Sequence, residues 1–440
     1  MSTSESSSQP TNVRWLVFTL ACLSSWFLYL HRYTFNVIRP ELQSEYGFDN
    51  QQVDQIFTAF NLSYSIGQIP SGMFCDAFGT HFFLAAIIVV WSVALPLFAV
   101  VHTVWAMSSV RFLFGAAQAG CYPALGQVTR TWFPRNSRTR VQGWVASFFG
   151  RAGGAMASII MASFLMATLG LSWRWALVVM AAAGVLFGIA FFVWFRDSPE
   201  IDPRVNEAER ELIQEGEETG QGGPAVLSFR RAFMKRSFNI LVVQQFLNAG
   251  ADIPYTYILG SYFLALGSTT AEMGWLVSLP LMGGALGGTV GGYCNDYLIR
   301  RTGSRRWGRS LVGLSGKLIS AAVLLAAIAQ TDAFLAGIGL FFVKFFTDWS
   351  QPTVWGACTD MGGRYSGTVF SINNTSGNVG ALVMPLLFGP LLDYYATKHT
   401  LLGMQLSFTD FTSMWLVVAA MYVLSGLSWL LIDCTERLDQ

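Results

Sequence analysis

Between Trp15 and Leu42 the chain reads WLVFTLACLSSWFLYLHRYTFNVIRPEL. No charge interrupts Trp15 to Leu30, and His31 and Arg32 then appear before the apolar character ends at Ile38. A hydrophobic run of this length has the bilayer as its solvent. An arginine inside it costs roughly 3 kcal/mol on an insertion scale, and such a charge normally faces a bundle interior or a water-filled cavity. The remainder of the chain can be read as the cavity built around Arg32.

Composition agrees. Of the 440 residues 53% are hydrophobic and 12% charged, where a soluble domain carries about 25% charged residues. The net charge of +1 gives no reason to expect a nucleic-acid partner. Six scattered cysteines form no CxxC and no disulfide framework, so they leave the redox compartment open. There is no HExxH, no phosphate loop and no recognisable catalytic triad, and no large soluble domain to carry chemistry. Neither an enzyme nor a cofactor or metal site is expected.

Hydropathy predicts twelve helical spans, at 15–38, 53–75, 80–101, 103–128, 140–168, 172–195, 237–264, 272–294, 310–330, 333–358, 364–392 and 411–433. The fold class is an all-α membrane protein of two pseudo-symmetric six-helix halves. A disordered polar tail is expected at 1–12, a first half at 13–195, a charged and glycine-containing linker at 196–236, a second half at 237–433 and a tail at 434–440. With the N-terminus inside, nineteen of the 27 Lys and Arg residues fall in cytosolic segments and three (Arg39, Arg174, Lys398) outside. Both termini, both tails and the linker are therefore expected in the cytosol, and the protein in the cell membrane.

The halves repeat each other. Gly72-Met-Phe-Cys-Asp76 and Gly292-Tyr-Cys-Asn-Asp296 close spans 2 and 8 at an offset of 220 residues. Arg140-Val-Gln-Gly143 and Arg364-Tyr-Ser-Gly367 open spans 5 and 11 at an offset of 224. Two unrelated landmarks at nearly one offset argue for duplication of a six-helix unit, an architecture that places binding sites near the membrane midplane.

Longer stretches carry a resemblance. They are Tyr64-Ser-Ile-Gly-Gln68-Ile-Pro70-Ser-Gly72 running into Asp76 and Gly79, Arg111-Phe-Leu-Phe-Gly115-Ala-Ala-Gln118, Trp132-Phe-Pro134, Trp173-Arg174-Trp175 and Asp197-Ser-Pro199-Glu200. In the second half they are Ser366-Gly-Thr-Val-Phe370 and Gly377-Asn378-Val-Gly380. Together they resemble the major facilitator superfamily, and within it the anion:cation symporters of hexonates, hexuronates and related organic anions. Tyr29-Leu-His-Arg32, Phe35 and Pro40-Glu-Leu42 also look like the organophosphate:phosphate antiporters. Those add an arginine on span 7, which Asn239 to Leu264 lacks, so exchange of that type ranks second.

Arg32 offers a planar donor fork suited to a carboxylate or phosphate, and the resemblance implies a substrate-anion arginine here. Tyr29 shares its helix face one turn earlier, and by resemblance Tyr29 and Tyr64 would hydrogen-bond substrate hydroxyls. Trp355, Ser371 and Asn374 would line the second half of the cavity on the same ground. Arg151, deep in span 5, either faces the cavity as a second anion contact or pairs across helices. Arg111 and Gln118 lie two turns apart near one face of span 4, and proton-coupled relatives carry a glutamate at the Gln118 position. Glutamine cannot titrate, so coupling is absent or moves elsewhere. His31 is the one group in span 1 that titrates near neutral pH, and is read foremost as a wall residue. Lys344 and Asp348, four apart in span 10, are spaced to neutralise each other. Asp252 in span 7 is alone among apolar neighbours in the sequence, and is read as a proton or sodium site or as bonded to Asn248 or Tyr255.

Asp76 and Asp296 are gating candidates. Ala77, Thr80 and His81 stand after the first copy where the family carries basic residues, whereas Arg300, Arg301, Arg305 and Arg306 follow the second. Latching is therefore expected mainly through Asp296. The whole reads as a monomeric, bilayer-embedded, alternating-access transporter of a small organic anion, coupled to a proton or sodium. A membrane metabolite sensor on the same fold is the alternative of another class.

Overall fold

The computed structural model describes residues 9–215, 227–257, 259–268, 272, 276–396 and 411–438. Met1 to Ser8, the linker acids Glu217 and Glu218, and Lys398 lie outside the described residues. Among the described residues the chain is helical throughout, without strands. Six helical stretches are long and apolar enough to cross a membrane by length and composition, and the other long helices fall on the remaining spans expected from hydropathy.

In the first half the helices are α1 (Val13–Tyr46), α2 (Asn50–Phe78), α3 (Thr80–Leu97), α4 (Val104–Gln118), α5 (Cys121–Trp132), α6 (Arg138–Gln142), α7 (Gly150–Ser158) and α8 (Trp173–Trp194). Two π-helical segments, Gly143–Phe149 and Ile159–Thr168, flank α7. The linker contributes α9 (Glu207–Gln214) and α10 (Phe229–Met234). The second half holds α11 (Arg236–Ala251), α12 (Ile253–Tyr257), α13 (Leu259–Ala265), α14 (Ser278–Thr302), α15 (Arg305–Ile328), α16 (Ala333–Trp349), α17 (Gln351–Gly362), α18 (Ser366–Ala396) and α19 (Thr412–Ser428).

Local chemistry sets many of these ends. Asp49 and Gln52 form a reciprocal capping box at the start of α2, and Ser172, Ser304 and Asp332 accept the first free N–H groups of α8, α15 and α16. Gly47 closes α1 in the left-handed region at φ 67°.

Three spans that the hydropathy predicts as continuous are broken, each just before a proline. Span 4 breaks at Ala119–Gly120 ahead of Pro123, span 7 at Asp252 ahead of Pro254, and span 10 at Ser350 ahead of Pro352. A proline ring clashes with the carbonyl four residues earlier and cannot donate to it. Gln118 and Asp252 lie at or next to the first two breaks, and Asp348 lies two residues before the third. Broken helices are tolerated at membrane depth only where neighbouring protein or a water-filled cavity satisfies the opened backbone.

The chain divides into two compact units: the chain up to Leu227 together with Gly362–Ser371, and Ser228–Met361 together with Ile372–Leu438. The start of α18 thus groups with the first unit. There Gly72 packs on the side chain of Ser371 and the carbonyl of Gly367, and Gly126 meets the Phe370 ring.

Small residues bring helices together within each unit. Gly67 faces Ala116 and Ala119, and Gly115 faces Ser63 and the Phe60 carbonyl, which closes α2 onto α4. In the second unit Gly283, Gly287 and Gly291 meet the carbonyls of Phe341, Phe345 and Trp349 in turn, seating α14 on α16. An apolar core including Phe263, Leu324, Leu340, Trp415 and Tyr422 fills the second unit around α11, α15, α16 and α19.

The part of the linker up to α9 packs within the first unit. Glu209 on α9 is fully buried and accepts from the Thr11 hydroxyl and from the Val13 and Arg14 N–H groups, so it caps α1. Residues 9–12, expected within a disordered tail, are instead held there, with Asn206 donating to the Gln9 carbonyl. Asp197 does the same for α3 by accepting from the Thr80 and His81 N–H groups at 2.7 Å each.

Candidate functional site

In the first unit the close approach of α2 and α4 gathers aromatic rings and two arginines. Arg32 on α1 donates from Nε to Gln118 Oε1 at 3.0 Å. Gln118 Nε2 in turn donates to the Leu28 carbonyl at 2.9 Å, which fixes the amide with its oxygen toward the arginine. The Arg32 guanidinium lies 4.6 Å from the Tyr64 ring centroid and 4.9 Å from those of Tyr29 and Phe60. Its Nη2 is buried and makes no hydrogen bond.

Arg111 is buried against the same Phe60 ring, with centroid distances of 4.6 Å to Phe35, 4.7 Å to Phe60 and 5.1 Å to Phe114. It donates from Nη2 to the Arg32 carbonyl at 3.3 Å, and its Nε has no hydrogen bond. Among the described residues no carboxylate pairs with Arg32 or Arg111. Ring faces attract guanidinium groups by roughly 0.5–2 kcal/mol each, well short of the several kcal/mol that burying an ion costs. Among the described residues the two guanidiniums therefore lie together without a carboxylate counter-charge.

The second unit handles charge differently. Lys344 Nζ donates to Asp252 Oδ1 at 2.8 Å and to Asp348 Oδ1 at 3.2 Å. Asp252 is therefore not isolated, as its sequence neighbours suggest; the Lys344 ammonium reaches it from another helix. Asn248 is engaged elsewhere: its Oδ1 accepts from Lys317 and its Nδ2 donates to Gln351 at 3.2 Å. Lys317 also donates to the Thr347 carbonyl at 3.3 Å, so its hydrogen bonds go to neutral acceptors. The Lys344 and Lys317 ammonium groups stand 5.4 Å and 5.3 Å from the rings of Tyr255 and Tyr422.

The other candidates fall as follows. His31 is buried, with Nε2 within 3.1 Å of the Met180 carbonyl and its ring against Phe27, as a wall residue would be. Arg151 is half-buried on α7, whose Gly150 and Gly153 pack directly on α1. Ser371 is buried and spends its hydroxyl on the Gly367 carbonyl at 2.8 Å. Trp355 and Asn374 are half-buried on α17 and α18.

The gating expectation changes. Asp76 lacks basic neighbours in its loop, yet it accepts from the Gly367 N–H at 3.1 Å, the Thr368 N–H at 2.8 Å and the Thr368 hydroxyl at 2.7 Å. Backbone donors at a helix start replace the missing cations. In the second copy Arg305 and Arg309 pair with Asp360, at 3.9 and 2.8 Å, while Asp296 accepts from the Asn295 amide.

Sequence reading also passed over Phe60, the ring shared by both arginines, and the pairing of Lys317 with Asn248, which it had offered to Asp252. An unassigned lysine inside a span was the available signal for the latter. Phe60 carried no signal beyond its position one turn before Tyr64.

Residues 21–385 match the sequence profile of the Major Facilitator Superfamily. The chain belongs to that superfamily. It is a multi-pass membrane transporter rather than an enzyme, and the resemblance carried by its motifs is borne out. Similar proteins include a probable sulfoacetate transporter, SauU, of Cupriavidus necator, 29% identical over 391 residues that cover 88% of this chain and 89% of that protein. A probable galactarate/D-glucarate transporter, GudP, of Bacillus subtilis is 26% identical over 409 residues, covering 87% and 86%. Among solved structures the Escherichia coli fucose:proton symporter FucP superimposes with a TM-score of 0.69 over 96% of this chain and all of that one, at 14% identity, and so shares the fold.

Proposed function

We propose that this superfamily member is a cell-membrane carrier, with both termini cytosolic, for a small organic anion of the sugar-acid or sulfonated-acid class, moved by alternating access and coupled to an ion. The observation that carries this reading is the half-buried Arg32 side chain, oriented by Gln118, with its Nη2 buried and unsatisfied and, among the described residues, no carboxylate to neutralise it. A buried donor of this kind costs about 1–3 kcal/mol until it is filled. A carboxylate or sulfonate would fill it by a charge-assisted bond, and Tyr29 and Tyr64 flank it with rings and hydroxyls suited to a hydroxylated carbon chain. The similarity to carriers of galactarate, D-glucarate and sulfoacetate points to the same class.

The test is uptake by proteoliposomes of labelled D-glucarate, galactarate, sulfoacetate and a hexonate, with a sugar phosphate and a neutral hexitol as controls. Saturable uptake of one or more acids, lost in Arg32→Ala, is expected. Uptake of the hexitol, or flux of the acids unaffected by Arg32→Ala, would contradict the assignment. Binding of an acid without flux would favour a sensor on the same fold.

A further inference from the structure

We infer that, whatever anion the protein carries, the second unit binds an anionic phospholipid along the exposed face of α14 and α15, with Arg300 and Arg301 as the headgroup contacts. α14 ends in these two arginines, and α15 begins at Arg305 after the turn Gly303–Ser304. Between Asp296 and Asp332 the sequence has no Asp or Glu, and five arginines fall at 300–309. Three of them are answered from elsewhere in the unit: Arg305 and Arg309 by Asp360, and Arg306 by Asp433 at 3.3 Å. Arg300 and Arg301 are exposed, and among the described residues neither meets a carboxylate.

The side of α14 that leads up to them is apolar. Met282, Leu286, Val290, Tyr293 and Tyr297 are all exposed, and their spacing of three or four residues keeps them on one face, which Arg300 and Arg301 continue. The neighbouring α15 repeats the pattern in the opposite direction, with Trp307, Leu311 and Leu318 exposed on one face. Gly308 abuts Ile299, so the two helices close on each other at this end. The Tyr297 hydroxyl accepts from Arg301 Nη1 at 3.0 Å, and the Arg306 guanidinium lies 5.4 Å from the Trp307 ring centroid. Tyrosine and tryptophan at the end of an apolar span mark the level of the lipid headgroups. A ligand that follows this face must be hydrocarbon along the stripe and acidic at its end. That is the chemistry of an anionic phospholipid; a free phosphate would leave the stripe uncovered.

Two simpler roles leave part of this unexplained. Cations in the last turn of a helix offset its macrodipole, and arginines collect on the cytosolic side of membrane proteins. Neither role requires tyrosines and arginines to share one face. The internal repeat supplies a control. At the 220-residue offset Arg300 and Arg301 correspond to Thr80 and His81, and Tyr297 to Ala77. In the first copy those positions serve the backbone: Asp197 accepts from the Thr80 and His81 N–H groups at 2.7 Å each. The guanidinium pair with its tyrosine ledge is thus a feature of one half, not of the six-helix unit. The Lys and Arg bias sets this turn at the cytosolic leaflet, where each juxtamembrane arginine strengthens attraction to anionic lipid by about fivefold.

The test titrates the purified full chain, in a neutral detergent, with phosphatidylglycerol and separately with phosphatidylethanolamine, and counts bound lipid by native mass spectrometry. Wild type is expected to bind phosphatidylglycerol more tightly than phosphatidylethanolamine. Arg300→Gln combined with Arg301→Gln should weaken phosphatidylglycerol binding by about thirtyfold, two charges at about fivefold each, and leave phosphatidylethanolamine unchanged. Arg300→Lys combined with Arg301→Lys keeps both charges and should stay within about threefold of wild type. Glycerol 3-phosphate, an acidic headgroup without acyl chains, should fail to displace the lipid even in large excess. Equal affinity of wild type for the two lipids, or phosphatidylglycerol binding undiminished in the double glutamine variant, would overturn the proposal. So would a double lysine variant that binds as poorly as the glutamine one, because charge would then not be what holds the lipid. Displacement by glycerol 3-phosphate would overturn it in favour of a site for soluble phosphates.

Discussion

In the first half two guanidiniums, the half-buried Arg32 and the buried Arg111, lie against one phenylalanine ring, and among the described residues no carboxylate answers them. In the second half the ammonium of Lys344 is shared by two aspartates, and the guanidinium of Arg309 is held by Asp360. The contrast separates charge kept for a ligand from charge kept in balance. A paired buried ion is strongly destabilising to break, whereas an unpaired one is a standing cost that folding does not explain. In the proposed function its counter-ion is the substrate anion.

The comparison can be broken by stability first. Lys344→Met removes the ammonium shared by two carboxylates and should destabilise the protein by about 3–5 kcal/mol, the usual cost of breaking a buried pair. Arg111→Met removes a charge with no carboxylate partner and should leave the thermal midpoint in detergent unchanged or higher. Equal losses in the two variants would erase the distinction.

A smaller effect is expected on transport. Arg32→Lys keeps the charge and loses the fork, so kcat/KM for the transported acid should fall by about ten- to a hundredfold, corresponding to roughly 1.5–3 kcal/mol for a charge-assisted bond. Folding stability should not fall with it. A fully active lysine variant would show that a point charge suffices and that the fork geometry is incidental.

Gln118→Glu would give the first half the counter-charge it lacks. An ionised glutamate would pair with Arg32 and compete with the substrate, raising the apparent KM by about tenfold at neutral pH. As pH falls and the carboxyl takes a proton, the competition ends and the KM should return toward the wild-type value. A pH-independent KM in this variant would mean that the residue 118 side chain does not control Arg32.

The least effect is expected at the far end of α1. Glu45 accepts from Arg174 and from the Trp173 indole at 3.0 Å, and the Arg174 bond in particular holds its carboxyl below the ordinary glutamate range. A lowered carboxyl contributes stability that is present above the ordinary glutamate value near 4.3 and is lost as pH falls through its folded-state value. Because the pair is exposed, Glu45→Gln should only slightly flatten the acid limb of a thermal-midpoint profile. A large loss at neutral pH would show the pair to be a structural latch.

Much of this was legible in the chain. A lone arginine after an uncharged apolar run, the doubled GxxxD motif and the Lys and Arg bias each have a physical meaning that survives without coordinates, and they led to the superfamily and to Arg32. What was hidden depended on which helix lies beside which. Asp252 had no charged neighbour within its own span, and its partner Lys344 lies 92 residues away. Asp76 had lost the basic residues of its loop, and its donors are backbone groups at Gly367 and Thr368, which no side-chain pattern advertises. The breaks in spans 4, 7 and 10 were readable in principle from Pro123, Pro254 and Pro352, but hydropathy averages over them.

The central claim is that the first half is built to receive an anion at Arg32. Calorimetric titration of the purified protein with galactarate and sulfoacetate, and with galactitol as the uncharged counterpart of galactarate, tests it most directly. The account expects saturable binding of at least one acid, none of galactitol, and loss of the acid signal in Arg32→Gln. Binding of galactitol as tight as that of galactarate, or acid binding undiminished in Arg32→Gln, would contradict it.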